Sequence, residues 1–200
     1  MNVSIIDYGT GNLHSLAKAL QGEGATVIIE SDCVAAAAAD ALVLPGVGAF
    51  GAAAERLTAG APALRAALAG GLPCLGICLG MQLLYDSSEE GAGQGLGVLR
   101  GTSRRVRAPR LPQMGWNDVE PIGDDPLFDG ADPIVVYYAN SFVVEPADDS
   151  ATIAYSTYGH DHFPAAVRRD KVWGVQFHPE KSGRTGLRLL RNFLNAVRVG

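Results

Sequence analysis

The sequence predicts an α/β fold in which helices flank a mixed sheet, and three observations lead there. Short apolar runs alternate with helical patterns through the first half, strand-like runs crowd the second half, and an amphipathic helix closes the chain. The 200 residues suit one compact domain spanning 1–200, with a sizeable core and no linker or repeat.

Residues 3–7 read as the first strand, ending in the turn Tyr8-Gly9-Thr10-Gly11. Asn12 is placed to cap a helix whose Leu13, Leu16, Ala17 and Leu20 share one face. Thr26–Glu30 and Ala41–Leu44 read as the next two strands. An alanine-rich helical stretch then runs to Gly70, and residues 72–77 form a strand that stops at Cys78. Strands alternating with helices imply parallel pairing through right-handed crossovers. In the second half, residues 116–120, 134–138, 142–145, 152–156, 165–168 and 172–177 read as strands separated by Pro, Gly and Asp turns. The closing helix carries Leu187, Leu190, Phe193, Leu194 and Val197 on its apolar face.

Composition narrows the function classes. Hydrophobic residues at 48% and charged residues at 18% exclude a disordered chain, and a net charge of −5 offers no footprint for nucleic acid or an anionic membrane. Arg100, Arg104, Arg105, Arg107 and Arg110 come nearest to a basic patch. Without interleaved aromatics they read as a solvated strand or hairpin face. No cationic segment and apolar run resemble a signal peptide, and the apolar stretches fall short of the ~20 residues a membrane helix requires. Cys33, Cys74 and Cys78 are therefore expected as free thiols in a reducing cytoplasm.

Gly76-Ile77-Cys78-Leu79-Gly80 has the form glycine, any residue, nucleophile, any residue, glycine, directly after a strand and before the helical run 81–85. A sharp strand-to-helix turn of this kind exposes a nucleophile, and the helix start favours a thiolate and offers a backbone N–H to a developing oxyanion. Cys74, inside the strand, and Cys33 read as small buried hydrophobes. A thiolate attacking an amide needs a proton shuttle. His178 qualifies at the end of a strand, and in an extended chain Glu180, two residues on, points to the same side and can orient the imidazole.

Two further patterns lead elsewhere and are set aside. His160 and His162 lack a third ligand at matching spacing, and Gly159 and Pro164 bracket them as a loop, so no metal is expected. Gly46-Val47-Gly48-Ala49-Phe50-Gly51 matches a dinucleotide-binding fingerprint, but no Asp or Glu lies between Glu55 and Asp86 to take the ribose, so no nucleotide cofactor is expected. A glycine-rich backbone near an acyl-transfer site can instead supply a second oxyanion donor. His14, beside the first helix's apolar face, reads as a surface or interface residue.

Together these residues resemble the class I, triad-type glutamine amidotransferases across nearly the whole chain. The segments 76–82 and 177–180 look like that family's nucleophile and His-Pro-Glu segments. Within the class, Asp7-Tyr8-Gly9-Thr10-Gly11-Asn12-Leu13, Pro45-Gly46-Val47-Gly48-Ala49-Phe50, Met114-Gly115-Trp116-Asn117 and His178-Pro179-Glu180-Lys181-Ser182 are most similar to the glutaminase subunits of imidazole glycerol phosphate synthases. The resemblance implies one flavodoxin-like domain with a mixed, largely parallel sheet. It implies a glutamine-hydrolysing, cofactor-free enzyme of histidine biosynthesis that passes ammonia to a (β/α)₈-barrel cyclase subunit in a heterodimer. It assigns Cys78, His178 and Glu180 to catalysis, and the Leu79 amide and the Val47 amide, after a backbone flip, to the oxyanion hole. Gly46, Gly48, Gln82, Ser141 and Phe142 would hold L-glutamine, and Asn12, Trp116, Asn117 and Lys181 would face the cyclase. Where the family usually reads His-Ser-Tyr, this chain has Asn140-Ser141-Phe142, leaving Ser141 to meet substrate through its backbone. Three alternatives stay open on the residues alone: the glutaminase of an anthranilate or aminodeoxychorismate synthase, whose elbow carries histidine where Met81 stands; a catalytically silent binding module; and a free-standing cysteine hydrolase.

Overall fold

The computed structural model describes residues 1–9 and 13–199. The first half builds strands β1 (Asn2–Ile6), β2 (Thr26–Glu30), β3 (Ala41–Leu44) and β4 (Cys74–Ile77). With them go helices α1 (Leu13–Gly22), α2 (Cys33–Ala36), α3 (Phe50–Leu57), α4 (Ala61–Ala69) and α5 (Leu79–Leu83). The second half adds β5 (Ser87–Ser88), β6 (Gly101–Arg105), β7 (Gln113–Asp118), β8 (Glu120–Pro121), β9 (Val135–Asn140) and β10 (Phe142–Pro146). β11 (Thr152–Tyr158), β12 (Asp161–Arg169), β13 (Val172–Val175) and the closing helix α6 (Gly183–Val199) follow.

The principal sheet has eight strands in the order β2-β1-β3-β4-β13-β12-β11-β8. Its first five strands are parallel, and the rest add antiparallel edges, so the expected mixed, largely parallel sheet is what the chain forms. The strand β13 is the key insertion. It enters from the far end of the sequence and lies parallel to β4, pairing Val175 with Ile77, so the residues after both strands emerge at the same edge. Two smaller sheets, β10-β6-β5 and β7-β9, form beside it.

Central strands buried on both faces need side chains that suit two cores, which is why they read as unbroken apolar runs. On β3, Ala41 and Val43 join one cluster, and Leu42 and Leu44 the other. The first cluster is covered by α1 and α6, the second by α3, α4 and α5. Leu13, Leu16, Ala17 and Leu20 are the buried residues of α1, as the periodicity predicts. The proposed Asn12 cap lies outside the described residues. On α6 the buried set is Gly186, Leu189, Leu190, Phe193 and Leu194, while Leu187 is 37% exposed. The stripe is centred further toward Gly186 than hydropathy implies, because Gly186 sits against the Pro179 carbonyl.

Two loop readings need correction. His162 belongs to β12, where its ring stacks on Tyr155 and its Nδ1 meets the Thr157 hydroxyl at 3.1 Å. Pro164 lies within the same strand, so only His160 occupies the turn. The arginine cluster is not uniformly solvated either. Arg104, with its side chain 7% exposed, forks onto Asp161 at 2.7 and 2.8 Å and reaches Glu145 at 3.0 Å. An alternation-based reading misses this because the ion partner lies 57 residues away. Burial alone would favour neutral Asp161, but the Arg104 guanidinium and the Arg107 N–H outweigh it and hold the carboxyl below the usual range. Arg104→Ala strands a buried carboxylate and should cost about 3–5 kcal/mol of stability at neutral pH. The depressed acid contributes its stability above its ordinary value of 3.8 and loses it as pH falls through its folded value. The gap between variant and wild type in urea unfolding should therefore narrow only as pH falls below the ordinary value of 3.8.

Candidate active site

The strand β4 ends at Ile77 and α5 begins at Leu79, leaving Cys78 alone at the corner with φ 49° and ψ −104°. A side chain at positive φ costs about 1–3 kcal/mol and persists only where its surroundings impose it. They do so here. The Cys78 N–H donates to the Val175 carbonyl at 2.6 Å, and its carbonyl accepts from the Gln82 N–H at 3.1 Å. Gly80 lets the first turn of α5 press onto the Leu44 carbonyl, where any β-carbon would collide. The expected helical run 81–85 thus starts two residues earlier, immediately after the cysteine.

The loop after β3 approaches the same corner. A β-carbon on Gly46 would lie 2.6 Å from the Ile77 carbonyl oxygen and 3.0 Å from Cys78 Cβ, so only glycine brings this backbone so close to the sulfur. The Tyr8 hydroxyl donates to the Pro45 carbonyl and anchors the start of the loop. Gly46, Val47, Gly48, Cys78, Leu79, Gln82, Ser141 and Phe142 line one cavity of 240 Å³, so every proposed oxyanion and substrate residue meets the nucleophile there. Glu90, Pro112, Ala139 and Asn140 complete the wall. Sequence reasoning missed Glu90 because it lies in a turn among other acids, and no pattern separates it from them.

His178 follows β13, where its N–H donates to the Tyr137 carbonyl at 2.9 Å. Its ring is 1% exposed, and Nδ1 lies 2.9 Å from Glu180 Oε1. The pair was expected from an extended chain, but Pro179–Lys181 forms a 3-10 turn, and this turn brings the carboxylate back to the imidazole. Ser182 holds the turn: its hydroxyl donates to the His178 carbonyl at 2.6 Å and accepts the Tyr137 N–H at 2.9 Å. Nε2 is buried and has no hydrogen-bond partner among the described groups, so it is available to a reacting atom. Burial opposes the imidazolium, but the Cys78 sulfur and the Glu180 carboxylate outweigh it and the imidazole is pushed up to about 10. A ring so placed carries a proton at neutral pH. Cys74, by contrast, is fully buried in β4, and burial pushes its thiol far up, as befits a structural cysteine.

Trp116 and Met114 project from β7, 60% and 64% exposed. Trp116 packs edge-on against Tyr137 and lies beside Gly183, two residues from exposed Lys181. Asn117 donates to the Thr157 carbonyl at 2.9 Å. His14 is exposed on α1. Among the described residues no cluster of His, Cys, Asp and Glu could hold a metal ion, and no helix is long and apolar enough to cross a membrane.

The family model for class-I glutamine amidotransferases matches residues 4–197. Subunit HisH of imidazole glycerol phosphate synthase from Gloeobacter violaceus is 46% identical, over 96% of this chain and 88% of that protein. The same subunit from Methanothermobacter thermautotrophicus is 43% identical, over 98% of this chain and all of its own length. A crystal structure of a glutamine amidotransferase superposes with a TM-score of 0.78 at 21% identity, covering 98% of each chain, a likeness of fold alone.

Proposed function

The chain belongs to the class I glutamine amidotransferases, and from that premise we propose how its corner cysteine serves as the glutaminase subunit of an imidazole glycerol phosphate synthase. The observation that carries the chemistry is that Cys78 and the glycine-rich loop line one small cavity, while the buried His178 imidazole interacts with the Cys78 sulfur.

Cys78 Sγ attacks the side-chain carbonyl carbon of L-glutamine, forming a C–S bond and a tetrahedral oxyanion. The Leu79 N–H, at the first turn of α5 where no intrahelical partner exists, stabilises that oxygen together with the Val47 N–H. The His178 imidazolium gives its Nε2 proton to the departing nitrogen, ammonia leaves, and a glutamyl thioester remains. Neutral His178 then takes a proton from water as it attacks, the C–S bond breaks, and glutamate and the thiolate are released. Glu180 fixes the ring so that Nδ1–H faces the carboxylate and the buried Nε2 is left for the proton transfer. Gly46, Gly48, Gln82, Ser141 and Phe142 grip the substrate, Glu90 offers a counter-charge to its α-ammonium, and the unpartnered, buried Asn140 Oδ1 adds an acceptor.

Ammonia is destined for a (β/α)₈-barrel cyclase subunit, docked as a heterodimer against Trp116, Asn117 and Lys181, with Asn12 assigned to the same contact by the sequence resemblance alone. The setting is cytoplasmic, where Cys78 stays reduced. Gly48 holds φ +127°, a conformation that only glycine adopts freely, and it adjoins the peptide that must turn its Val47 N–H inward. Glutamate release should be slow for the chain alone and rise steeply with cyclase and its nucleotide. Gly48→Ala should cut the stimulated rate by about 100- to 1,000-fold, the worth of one oxyanion donor. Full activity without a partner would identify a free-standing hydrolase instead, and stimulation unchanged in Gly48→Ala would refute the turning peptide.

A further inference from the structure

Among the described residues outside the triad, the Gln176 side chain makes a hydrogen bond to the reacting sulfur. Gln176, the residue between Val175 and Phe177, is completely buried, and its Nε2 lies 3.4 Å from Cys78 Sγ. Its other end, Oε1, lies 3.3 Å from Gln82 Nε2. That same Gln82 nitrogen donates to the Phe142 carbonyl at 3.1 Å, and Asn140 Nδ2 donates to the same carbonyl at 3.1 Å.

A carboxamide keeps its shape when turned end for end, so only its partners fix which end is the donor. Here the partners leave one answer. The Phe142 carbonyl can only accept, so Gln82 must present its NH₂ group there. That NH₂ also faces Gln176, which must answer with its oxygen. The end of Gln176 at the sulfur is then necessarily the NH₂. Two amides and a backbone carbonyl thus form a one-way chain that delivers a donor to Sγ. A thiol is a weak acceptor for such a donor, while a thiolate is a strong one.

We infer that Gln176 is a catalytic residue whose carboxamide, oriented by Gln82 and the Phe142 carbonyl, donates to Cys78 Sγ and holds it as a thiolate facing the cavity. The inference rests on the reading of Cys78 as nucleophile. The contact eases the step in which the thioester C–S bond breaks, since the electron pair returning to sulfur meets a donor already in place. It neither gives nor takes a proton. It also gives Gln82 two duties, one toward substrate and one toward the nucleophile.

The titratable groups that act on the sulfur are His178, from the turn after β13, and Tyr8, whose proton burial retains, while Glu90 lines the same cavity and Glu180 bears on it through His178. Gln176 carries no charge at any pH, so its removal reads the hydrogen bond and not a lost ion. The test is the pH profile of iodoacetamide alkylation in the whole chain without glutamine, with Cys78 labelling located by mass spectrometry. Gln176→Met should move the midpoint of Cys78 labelling upward by about one pH unit, a tenfold fall in thiolate at a given pH. Gln176→Glu keeps an acceptor for Gln82 but places an anion at the sulfur, and should shift the midpoint at least as far. Each variant is first checked for a wild-type unfolding midpoint, and one that folds suffices. A profile coincident with wild type in a folded variant overturns the role of Gln176. This readout needs no turnover, so it stays separate from the glutaminase reading, which Cys78→Ala tests.

Discussion

Cys78→Ala should abolish glutamate release, with a fall of about 10⁵- to 10⁶-fold, the scale on which losing a covalent nucleophile acts. No other described thiol can substitute. Cys74 is buried in the core beneath α3, α4 and α5 with its proton held by burial, and Cys33 sits at the start of α2 beside Gly60. The loss should be confined to glutamine chemistry. Alanine fits the corner with less bulk than cysteine, so the unfolding midpoint should stay near that of wild type. Because this chain's task is to supply ammonia, added ammonium salt should bypass the lesion and restore product formation by the cyclase partner. A variant that still released glutamate at more than a thousandth of the wild-type rate would require a different nucleophile.

His178→Asn should lose about 10⁴-fold or more, because the same ring must protonate the leaving nitrogen and then activate water. Residues acting as a unit give non-additive losses. The double variant Cys78→Ala/His178→Asn should therefore be no slower than Cys78→Ala alone. Additive losses in that comparison would mean that the two side chains work in separate steps. Glu180→Gln should fall between them and wild type, since Nδ1 keeps an acceptor and loses only the charge that favours the imidazolium.

The parts of this site that were legible in the sequence are those with local causes. The turn at Gly76-Ile77-Cys78-Leu79-Gly80 is written in five consecutive residues, because each glycine is demanded by backbone crowding a few residues away or on the adjoining strand. The strand Ala41–Leu44 begins and ends where its apolar run does, since a strand buried on both faces admits little else. Thr26–Glu30 was legible from its β-branched residues, although it lies at the exposed edge of the sheet. The His178–Glu180 contact was correctly anticipated through an incorrect backbone: spacing by two suggested an extended chain, and a proline-initiated 3-10 turn does the work.

What stayed hidden depends on distant partners. Arg104 looks like one more surface arginine until Asp161 arrives from another sheet. Gln176 reads as a polar strand end, and its meaning appears only when Cys78, Gln82 and Phe142 surround it. Asn140, a departure from the family's usual histidine, turns out to share the Phe142 carbonyl that fixes this chain of amides. Hydropathy records burial, but it carries no information about which end of an amide is a donor.

The most direct test is to quench the chain in acid during turnover with glutamine and the stimulating partner, then map the digest by mass spectrometry. A glutamyl thioester on the peptide holding Cys78, absent from Cys78→Ala, is the expected result. Rapid glutamate release with that peptide unmodified, or with the glutamyl group on Cys33 or Cys74, would contradict the account.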